Sequence, residues 1–367
     1  MLLNEEQRLL QQSVAEFLQE QSPVERIREL RDNPTPEGYM PELWQQMIEL
    51  GLPAVSLPEG YGGLGFGYLG LGAIMQDMGR QLAASPLFSS VVLAANIIEA
   101  CASEGQKLSW LPDIASGAIR YAAAIDEGRH FAPQQTTMQV NNGVLNGKKT
   151  FVLEASSADY ILVLVRTNNN DFGWLRLAAN APGLEVTRRP LMDGRNACDI
   201  SFVDCPISDD DWLLGPTEWR ATETALNKAT IVLAAEMLGG SRELLERTVQ
   251  YLCDREQFDV KIGTFQALQH RCAQMLCQLE MAQSTLQKGL ASIDYGVTEL
   301  TSLASNIKYL ANECYLHISN EAVQMHGGMG VTDEVEIGLF LKRARVCVQM
   351  LGDSSFHKNR FADCLGI

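Results

Sequence analysis

The sequence lacks the features that mark several large classes of protein. In its 367 residues, no apolar run reaches the roughly 20 residues that are needed to cross a bilayer. The first residues, MLLNEEQRLLQQ, are acidic and amphipathic, and they do not form the basic-then-apolar pattern of a targeting signal. The 29 Lys and Arg are outnumbered by 45 Asp and Glu, which gives a formal net charge of −16. This charge opposes non-specific binding to nucleic acid or to anionic membranes, so we expect neither partner and no membrane insertion.

The chain also lacks the patterns of disulfide-linked and metal-binding proteins. Its nine cysteines are scattered, none form a CxxC pair, and an odd number does not suggest a disulfide framework. The five histidines show no HExxH motif or comparable metal spacing. We therefore expect reduced, mostly buried thiols in a cytoplasmic protein, and no metal site.

Apolar residues are plentiful, at 46 %, and they fall into three regions of different periodicity. Residues 1–117 and 219–367 repeat apolar positions every three or four residues, as amphipathic helices do. Residues 118–218 consist of short β-rich runs separated by turn residues. We predict a mostly helical α+β fold with an N-terminal helical domain, a central antiparallel β domain or small barrel, and a C-terminal four-helix bundle.

Individual elements can be placed within these regions. The predicted helices cover residues 6–18, 41–50, 223–254, 265–295, 300–325 and 336–350, with further helical stretches over 69–115. The β-rich runs are YAAAI, TTMQV, VLNGKKTFVL, YILVLVR, FGWLRLA, GLEVTRRPL and CDISFV, with Asn168-Asn169-Asn170 among the turns. Asn142-Gly143 tolerates positive φ, so MQVNNGVLNG predicts a hairpin. The loop LPEGYGGLGFG lacks the preceding strand of a dinucleotide fingerprint, which argues against a Rossmann fold.

Four segments together resemble the acyl-CoA dehydrogenase family. They are LPEGYGGLG (57–65), LNGKKTFVLEASSADYILVLVR (145–166), YLCDREQFDVKIGTFQALQHRCA (251–273) and QMHGGMGVTDEVEIGLFLKRAR (324–345), in the family's order and at its spacing. The resemblance implies FAD between the β domain and the bundle, a dimer or dimer of dimers, and α,β-desaturation of an acyl-CoA thioester, with electrons leaving to an acceptor protein. In that reaction a carboxylate removes the α proton while the β hydride passes to the flavin.

The resemblance implies FAD contacts at residues that match the family's motifs. Arg255, with Phe258 and Gln266, matches a run in which the guanidinium binds the pyrophosphate. Gln324 is expected to hydrogen-bond a nucleotide moiety, and the pair Gly327-Gly328 lets another backbone approach closely. Without the resemblance, Arg255 reads as an exposed helix-end residue and the glycine pair as a helix cap. The family supplies these residues in trans, to the FAD held mainly by the neighbouring subunit.

The usual catalytic base is missing. Leu351 stands where most family members carry the catalytic Glu, and Ala229 stands where members resembling isovaleryl-CoA dehydrogenase carry it. Neither side chain accepts a proton. The flavin pocket in the β domain is altered, because Asp126 replaces the hydroxyl that normally lies near the ring. Ile125, and Phe151 at the aromatic position beside the flavin, are also expected to contact FAD. A charged Asp126 would disfavour anionic reduced flavin by like-charge repulsion.

The chain thus keeps the residues supplied in trans and has lost the base, as expected of a subunit that completes a partner's flavin site. Heterotetramers of unlike subunits occur in this family, in bacterial sterol side-chain oxidation among others, and the GD-x-x-x-H ending (Gly352, Asp353, His357) resembles theirs. One alternative is a self-sufficient homo-oligomer that uses a displaced acid, Asp353, which with Ser355 lies where members touch FAD. Others are a nonenzymatic structural or CoA-binding subunit, and a fold relative that acts as a monooxygenase.

Overall fold

A computed structural model describes residues 3–167 and 169–367, so the predicted turn residue Asn168 lies outside the described residues. The helices are α1 (Glu5–Gln21), α2 (Glu25–Asp32), α3 (Pro41–Glu49), α4 (Gly67–Arg80), α5 (Ala95–Cys101), α6 (Glu104–Ala115), α7 (Trp219–Asp254), α8 (Gln266–Asp294), α9 (Thr301–His326), α10 (Ile337–Gln349) and α11 (Ser354–Leu365), with a π-helix at Leu87–Ala94. The strands are β1 (Tyr121–Ala124), β2 (Val140–Asn141), β3 (Val144–Leu153), β4 (Tyr160–Arg166), β5 (Phe172–Ala178), β6 (Leu184–Pro190), β7 (Asn196–Pro206), β8 (Glu256–Gln257) and β9 (Val260–Lys261). The order of a helical, a β-rich and a helical region is as predicted.

The chain divides into two compact units. The helical unit comprises Met1–Glu29, Tyr68–Ala83 and Thr230–Ile367, and the sheet unit comprises Leu30–Gly67 and Ala84–Ala229. No helix within residues 3–167 or 169–367 is both long and apolar enough to span a membrane.

The helical unit buries the apolar faces that the periodicity predicts. In α9, for example, Ile307, Cys314 and Ile318 are buried at spacings of three or four residues or their multiples. Helices α4 and α7 approach backbone to backbone, because a Cβ added at Gly239 would lie 2.0 Å from the carbonyl oxygen of Gln76. Glycine is therefore required at this crossing.

The sheet unit contains two sheets, ordered β1-β4-β5 and β2-β3-β7-β6. Their buried side chains form one apolar cluster, which includes Leu145, Ile161, Val163 and Ile200. The β2–β3 hairpin is confirmed, with left-handed φ angles at Asn142 and Gly143 of 52° and 75°.

Three details of the predicted β domain are wrong. Strand β1 pairs with β4 in parallel, through a long connection that contains β2 and β3, so the domain is not wholly antiparallel. The strands of the described residues form open sheets and close no barrel. The run TTMQV is mostly not a strand, because the amides of Thr137 and Met138 donate to the carboxylate of Glu127 instead of to a neighbouring strand.

Candidate functional site

Three helix ends of the helical unit carry the residues predicted to act in trans. Arg255 follows the last residue of α7, Gln266 begins α8, and Gln324 lies in the last turn of α9, with Gly327 and Gly328 just beyond it. All five residues are exposed. Among the described residues, the side chains of Arg255, Gln266 and Gln324 have no intrachain hydrogen bond or ion pair. They are therefore available to a ligand or a second chain.

Side-chain contacts hold these helix ends together. Arg271, in the second turn of α8, forms an ion pair with Glu321, which lies one turn before the last turn of α9. The hydrogen bond to this carboxylate raises the pKa of the Arg271 guanidinium. Gln269 donates from Nε2 to the carbonyl oxygen of Gly263 over 2.8 Å, which ties α8 to the segment between α7 and α8.

That segment is a short hairpin with an exposed aromatic tip. Phe258 and Asp259 connect β8 to β9 with φ angles of 55° and 60°, the left-handed pair of a two-residue turn. Phe258 is 85 % exposed, and the only ring contact of its side chain in the described residues is an edge contact with Phe265, with the ring centroids 6.3 Å apart. The hairpin therefore presents an aromatic side chain to solvent beside the exposed Arg255.

The two positions of the usual base are buried and apolar. Leu351 is 6 % exposed and Ala229 is fully buried, so neither position offers a proton acceptor. Leu351 adopts φ = +53° and Gly352 adopts φ = +106°, which makes a tight turn between α10 and α11. Asp353, the alternative acid, caps α11: its Oδ1 accepts from the amide of Phe356 over 2.8 Å, and Ser355 is exposed in the first turn.

Two buried titratable side chains hold the Leu351-Gly352 turn. Lys308, which is fully buried, donates from Nζ to the carbonyl oxygens of Cys347 and Gly352, over 3.0 and 3.2 Å. His357 donates from Nε2 to the carbonyl oxygen of Leu351 over 2.9 Å. Burial lowers the pKa of Lys308 to about 7 and, with the nearby Lys308 charge, the pKa of His357 to about 3. The turn at which the resemblance predicts a base is thus fixed here without one.

The β-domain residues predicted to face the flavin also lie together, in the sheet unit. The amide of Thr150 donates to the carbonyl oxygen of Asp126 over 2.8 Å, and this contact places Asp126 beside Phe151. Phe151 has φ = +54° at an irregularity in the β3–β7 pairing. Oδ1 of Asp126 accepts from the amide of Ala132 over 2.9 Å, so its carboxyl group is used within its own loop. Burial raises the pKa of Asp126 to about 6.

A second buried lysine, Lys149, organises this loop. Its Nζ donates to the carbonyl oxygen of Ile125 over 2.8 Å and to Oγ1 of Thr136 over 3.1 Å, and it forms an ion pair with Glu127 over 3.0 Å. The side chain of Ile125 is buried in the core. Sequence analysis missed both Lys149 and Lys308; the signal available for Lys308 was a charge adjoining the apolar positions Leu303, Ile307 and Leu310 of one helix.

The described residues contain no group of three His, Cys, Asp or Glu that suits a metal ion. All nine cysteines are free, and five of them, Cys101, Cys198, Cys205, Cys314 and Cys347, are buried.

The sequence and the fold of the chain are similar to those of acyl-CoA dehydrogenases. The chain matches the model described as acyl-CoA dehydrogenase, N-terminal domain, over residues 4–118 and the one described as acyl-CoA dehydrogenase, C-terminal domain, over residues 219–365. It is 32 % identical over 323 residues to acyl-CoA dehydrogenase fadE12 of Mycobacterium tuberculosis, covering 83 % of this chain and 82 % of that protein. It is 28 % identical over 367 residues to mitochondrial isovaleryl-CoA dehydrogenase of Pongo abelii, covering 94 % and 85 %. The solved ChsE4-ChsE5 complex from M. tuberculosis contains a chain of 25 % identity with a TM-score of 0.90, covering 99 % and 98 %.

Proposed function

Because the chain belongs to the acyl-CoA dehydrogenase family, whose members use FAD, we propose that it is one subunit of a dehydrogenase in which it completes the flavin site of a Glu-bearing partner. The reaction removes a proton from the α-carbon and a hydride from the β-carbon of an acyl-CoA thioester, which leaves a 2-enoyl thioester. The proton goes to the partner's carboxylate, and FAD, when bound, takes up the hydride.

The observation that carries this proposal is the contrast between two sets of residues. The base positions, Leu351 and Ala229, are buried and unable to accept a proton. The side chains of Arg255, Gln266 and Gln324 are exposed and have no intrachain partner among the described residues. A chain that kept its own active site would need a proton acceptor at one of the base positions. A chain that serves a neighbour's active site needs only the exposed residues.

The exposed set fits FAD by the chemistry of its donors. The guanidinium of Arg255 presents five N–H groups in a fixed fork, which suits the oxygens of a pyrophosphate. The amides of Gln266 and Gln324 each offer a donor and an acceptor for neutral polar groups. The backbone at Gly327 and Gly328 is open, since a Cβ built at either residue meets nothing within 4 Å.

The fold comparison supports an assembly of unlike chains, because one of the matched structures is a complex of two named components, ChsE4 and ChsE5. In such an assembly this chain provides Arg255 and the hairpin that follows it (residues 255–261, the Arg255 arm), and the partner provides the base. We also propose that the assembly is cytoplasmic and passes its electrons to an acceptor protein.

The alternative of a self-sufficient enzyme requires Asp353 to act as the base. In the structure its carboxylate caps α11, through the hydrogen bond from Phe356, and does not offer a free oxygen pair to a substrate. Asp353→Asn keeps an oxygen that accepts this cap bond but removes the carboxylate. If Asp353 is the base, this variant abolishes exchange of the α proton with solvent; if our proposal is right, the exchange rate stays unchanged.

The proposal is tested by flavin stoichiometry. The chain is purified alone and together with co-expressed products of neighbouring genes, and bound FAD and acyl-CoA oxidation are measured for each preparation. We expect little FAD and no turnover from the chain alone, and a yellow, active complex with a Glu-bearing chain. Full flavin content and rapid turnover of the homomer would contradict the proposal, and a colourless complex would favour a nonenzymatic subunit.

A further inference from the structure

We propose that Tyr251 and His326 are positioning residues whose stacked rings align the Arg255 arm with the Gly327-Gly328 turn, so that both reach a neighbouring subunit's FAD together. This inference rests on the proposed function, because it concerns the same exposed set of residues.

The two rings join the helix ends that carry that set. Their centroids are 4.2 Å apart and their planes are inclined by 24°, an offset stack between the end of α7 and the end of α9. Tyr251 lies one turn before Arg255, whose amide donates to the Tyr251 carbonyl oxygen over 2.9 Å. His326 directly precedes Gly327. A shift of either ring therefore moves a predicted ligand residue that is at most one turn away.

The orientation of the His326 ring is fixed from its own helix. Nδ1 lies 2.8 Å from the carbonyl oxygen of Ala322, so the tautomer with a proton on Nδ1 donates to it. The residue is buried, and burial lowers its pKa, which favours the neutral ring. Gly327 then leaves the helix with φ = +60° and ψ = −136°, a conformation open to glycine alone. The turn therefore departs directly after the residue whose ring forms the stack.

The other links at this end of the helical unit do not replace the stack. The Arg271–Glu321 ion pair joins α8 to α9, and the Gln269–Gly263 hydrogen bond joins α8 to the hairpin. The stack joins α7 to α9. Tyr251 is only half-buried and lies one turn before the exposed Arg255. The stack therefore lies where it can position the exposed residues predicted to bind FAD.

The test compares Tyr251→Leu with Tyr251→Phe. Leu removes the aromatic face, whereas Phe keeps the stack and loses only the hydroxyl. In the co-purified complex, we expect Tyr251→Leu to speed FAD dissociation roughly 3- to 10-fold, the range of an aromatic pair, and Tyr251→Phe to match the wild type. Flavin fluorescence reports the dissociation, and the unfolding temperature of each variant shows whether the fold is intact.

A second measurement uses the chain without a partner. Hydrogen exchange of the amides at residues 327–330, on the far side of the stack, is expected to speed up in Tyr251→Leu and to remain unchanged in Tyr251→Phe. His326→Leu and His326→Phe give the same comparison from the opposite ring, with the exchange measured at residues 255–261. Unchanged exchange in both leucine variants would overturn the inference.

Arg255→Ala separates the two proposals. If Arg255→Ala weakens FAD binding and Tyr251→Leu does not, the flavin role stands and the positioning role of the stack is wrong. If Arg255→Ala has no effect on FAD dissociation, the proposed function fails and the inference fails with it.

Discussion

At the residue scale, the protein buries charge to hold backbone rather than to react. Lys308 binds two carbonyl oxygens around the Leu351-Gly352 turn, and Lys149 binds the carbonyl oxygen of Ile125 in the sheet unit. A buried ammonium is costly unless its donors are satisfied. Lys308 satisfies its donors with two backbone carbonyls and the side-chain oxygen of Asn312, whereas Lys149 uses one carbonyl, the Thr136 hydroxyl and the carboxylate of Glu127. Both lysines support segments that are predicted to lie near the flavin.

The buried Lys308 makes stability depend on pH. Its pKa is about 7 in the folded chain and 10.5 ordinarily, so the unfolded chain binds more protons between these values. The contribution of Lys308 to the free energy of unfolding therefore rises with pH over this window, by up to about 1.4 kcal/mol per pH unit. We expect the pH slope to be lower in Lys308→Met than in the wild type. Urea denaturation at pH 7, 8 and 9 measures it.

Lys358→Met is the matched control, because Lys358 is exposed on α11. It should leave the slope unchanged. Burial raises the pKa of the Cys101 and Cys314 thiols from 9.0 to about 11 and about 12, which adds a slope of its own near pH 9, but these thiols are common to all three proteins and cancel in the difference. Identical slopes for wild type and Lys308→Met would show that folding does not lower the pKa of Lys308.

The buried ion pair of Glu236 and Arg343 gives a second prediction. Oε1 of Glu236 lies 2.8 Å from Nη2 of Arg343, and both side chains are at most 5 % exposed. Arg343→Met leaves a buried carboxylate without its charge partner, and we expect a loss of about 3–5 kcal/mol in the free energy of unfolding. The double variant Glu236→Met, Arg343→Met should recover much of it.

The control for this prediction is the more exposed pair of Arg242 and Glu280, whose side chains are 31 % and 56 % exposed. Arg242→Met there is expected to cost no more than about 1 kcal/mol. Equal losses of unfolding free energy at the two sites, measured by chemical denaturation, would contradict the prediction that burial makes the loss at Arg343 larger.

At the element scale, packing between α4 and α7 depends on glycine. A Cβ at Gly239 would lie 2.0 Å from a backbone oxygen of α4, which no side-chain rotation relieves. We expect Gly239→Ala to destabilise the protein by about 1–3 kcal/mol through separation of the helices. Gly105→Ala, in α6 where a Cβ meets nothing within 4 Å, should be neutral or stabilise by up to about 1 kcal/mol. Thermal unfolding compares the two, and a harmless Gly239→Ala would contradict the backbone contact.

Elements were predictable where local pattern and tertiary packing agree. Strands β3, β4 and β5 begin and end where their apolar runs do, and the hairpin follows from Asn142-Gly143. The π-helix at Leu87–Ala94 was not distinguished from an α-helix, because all eight of its residues are buried and carry no facial pattern. The missing strand at TTMQV depends on the Glu127 carboxylate, a contact between residues ten or more positions apart.

The candidate site, too, was predictable from the sequence only in part. The loss of the base at Leu351 and Ala229 is visible in the sequence, because it is a property of single positions within recognisable motifs. The clamp on the turn by Lys308 and His357 is not, because Lys308 reaches across from α9 to carbonyl oxygens more than 35 residues away. The cap that Asp353 forms on α11 follows a local pattern, an Asp directly before a helix, and does not depend on a distant contact.

At the scale of the whole molecule, the proposed function predicts that FAD binding depends on one group of this chain's residues and not on another. If the chain serves only a partner's flavin, Arg255 matters for FAD retention and Phe151 does not. We expect Arg255→Ala in the co-purified complex to weaken FAD binding about 10- to 150-fold, the loss of a charge-assisted hydrogen bond. Phe151→Leu, which keeps an apolar side chain in the sheet unit, should leave FAD content unchanged. Equilibrium dialysis of FAD against each complex measures both, and the reverse ranking would mean that the chain holds a flavin of its own.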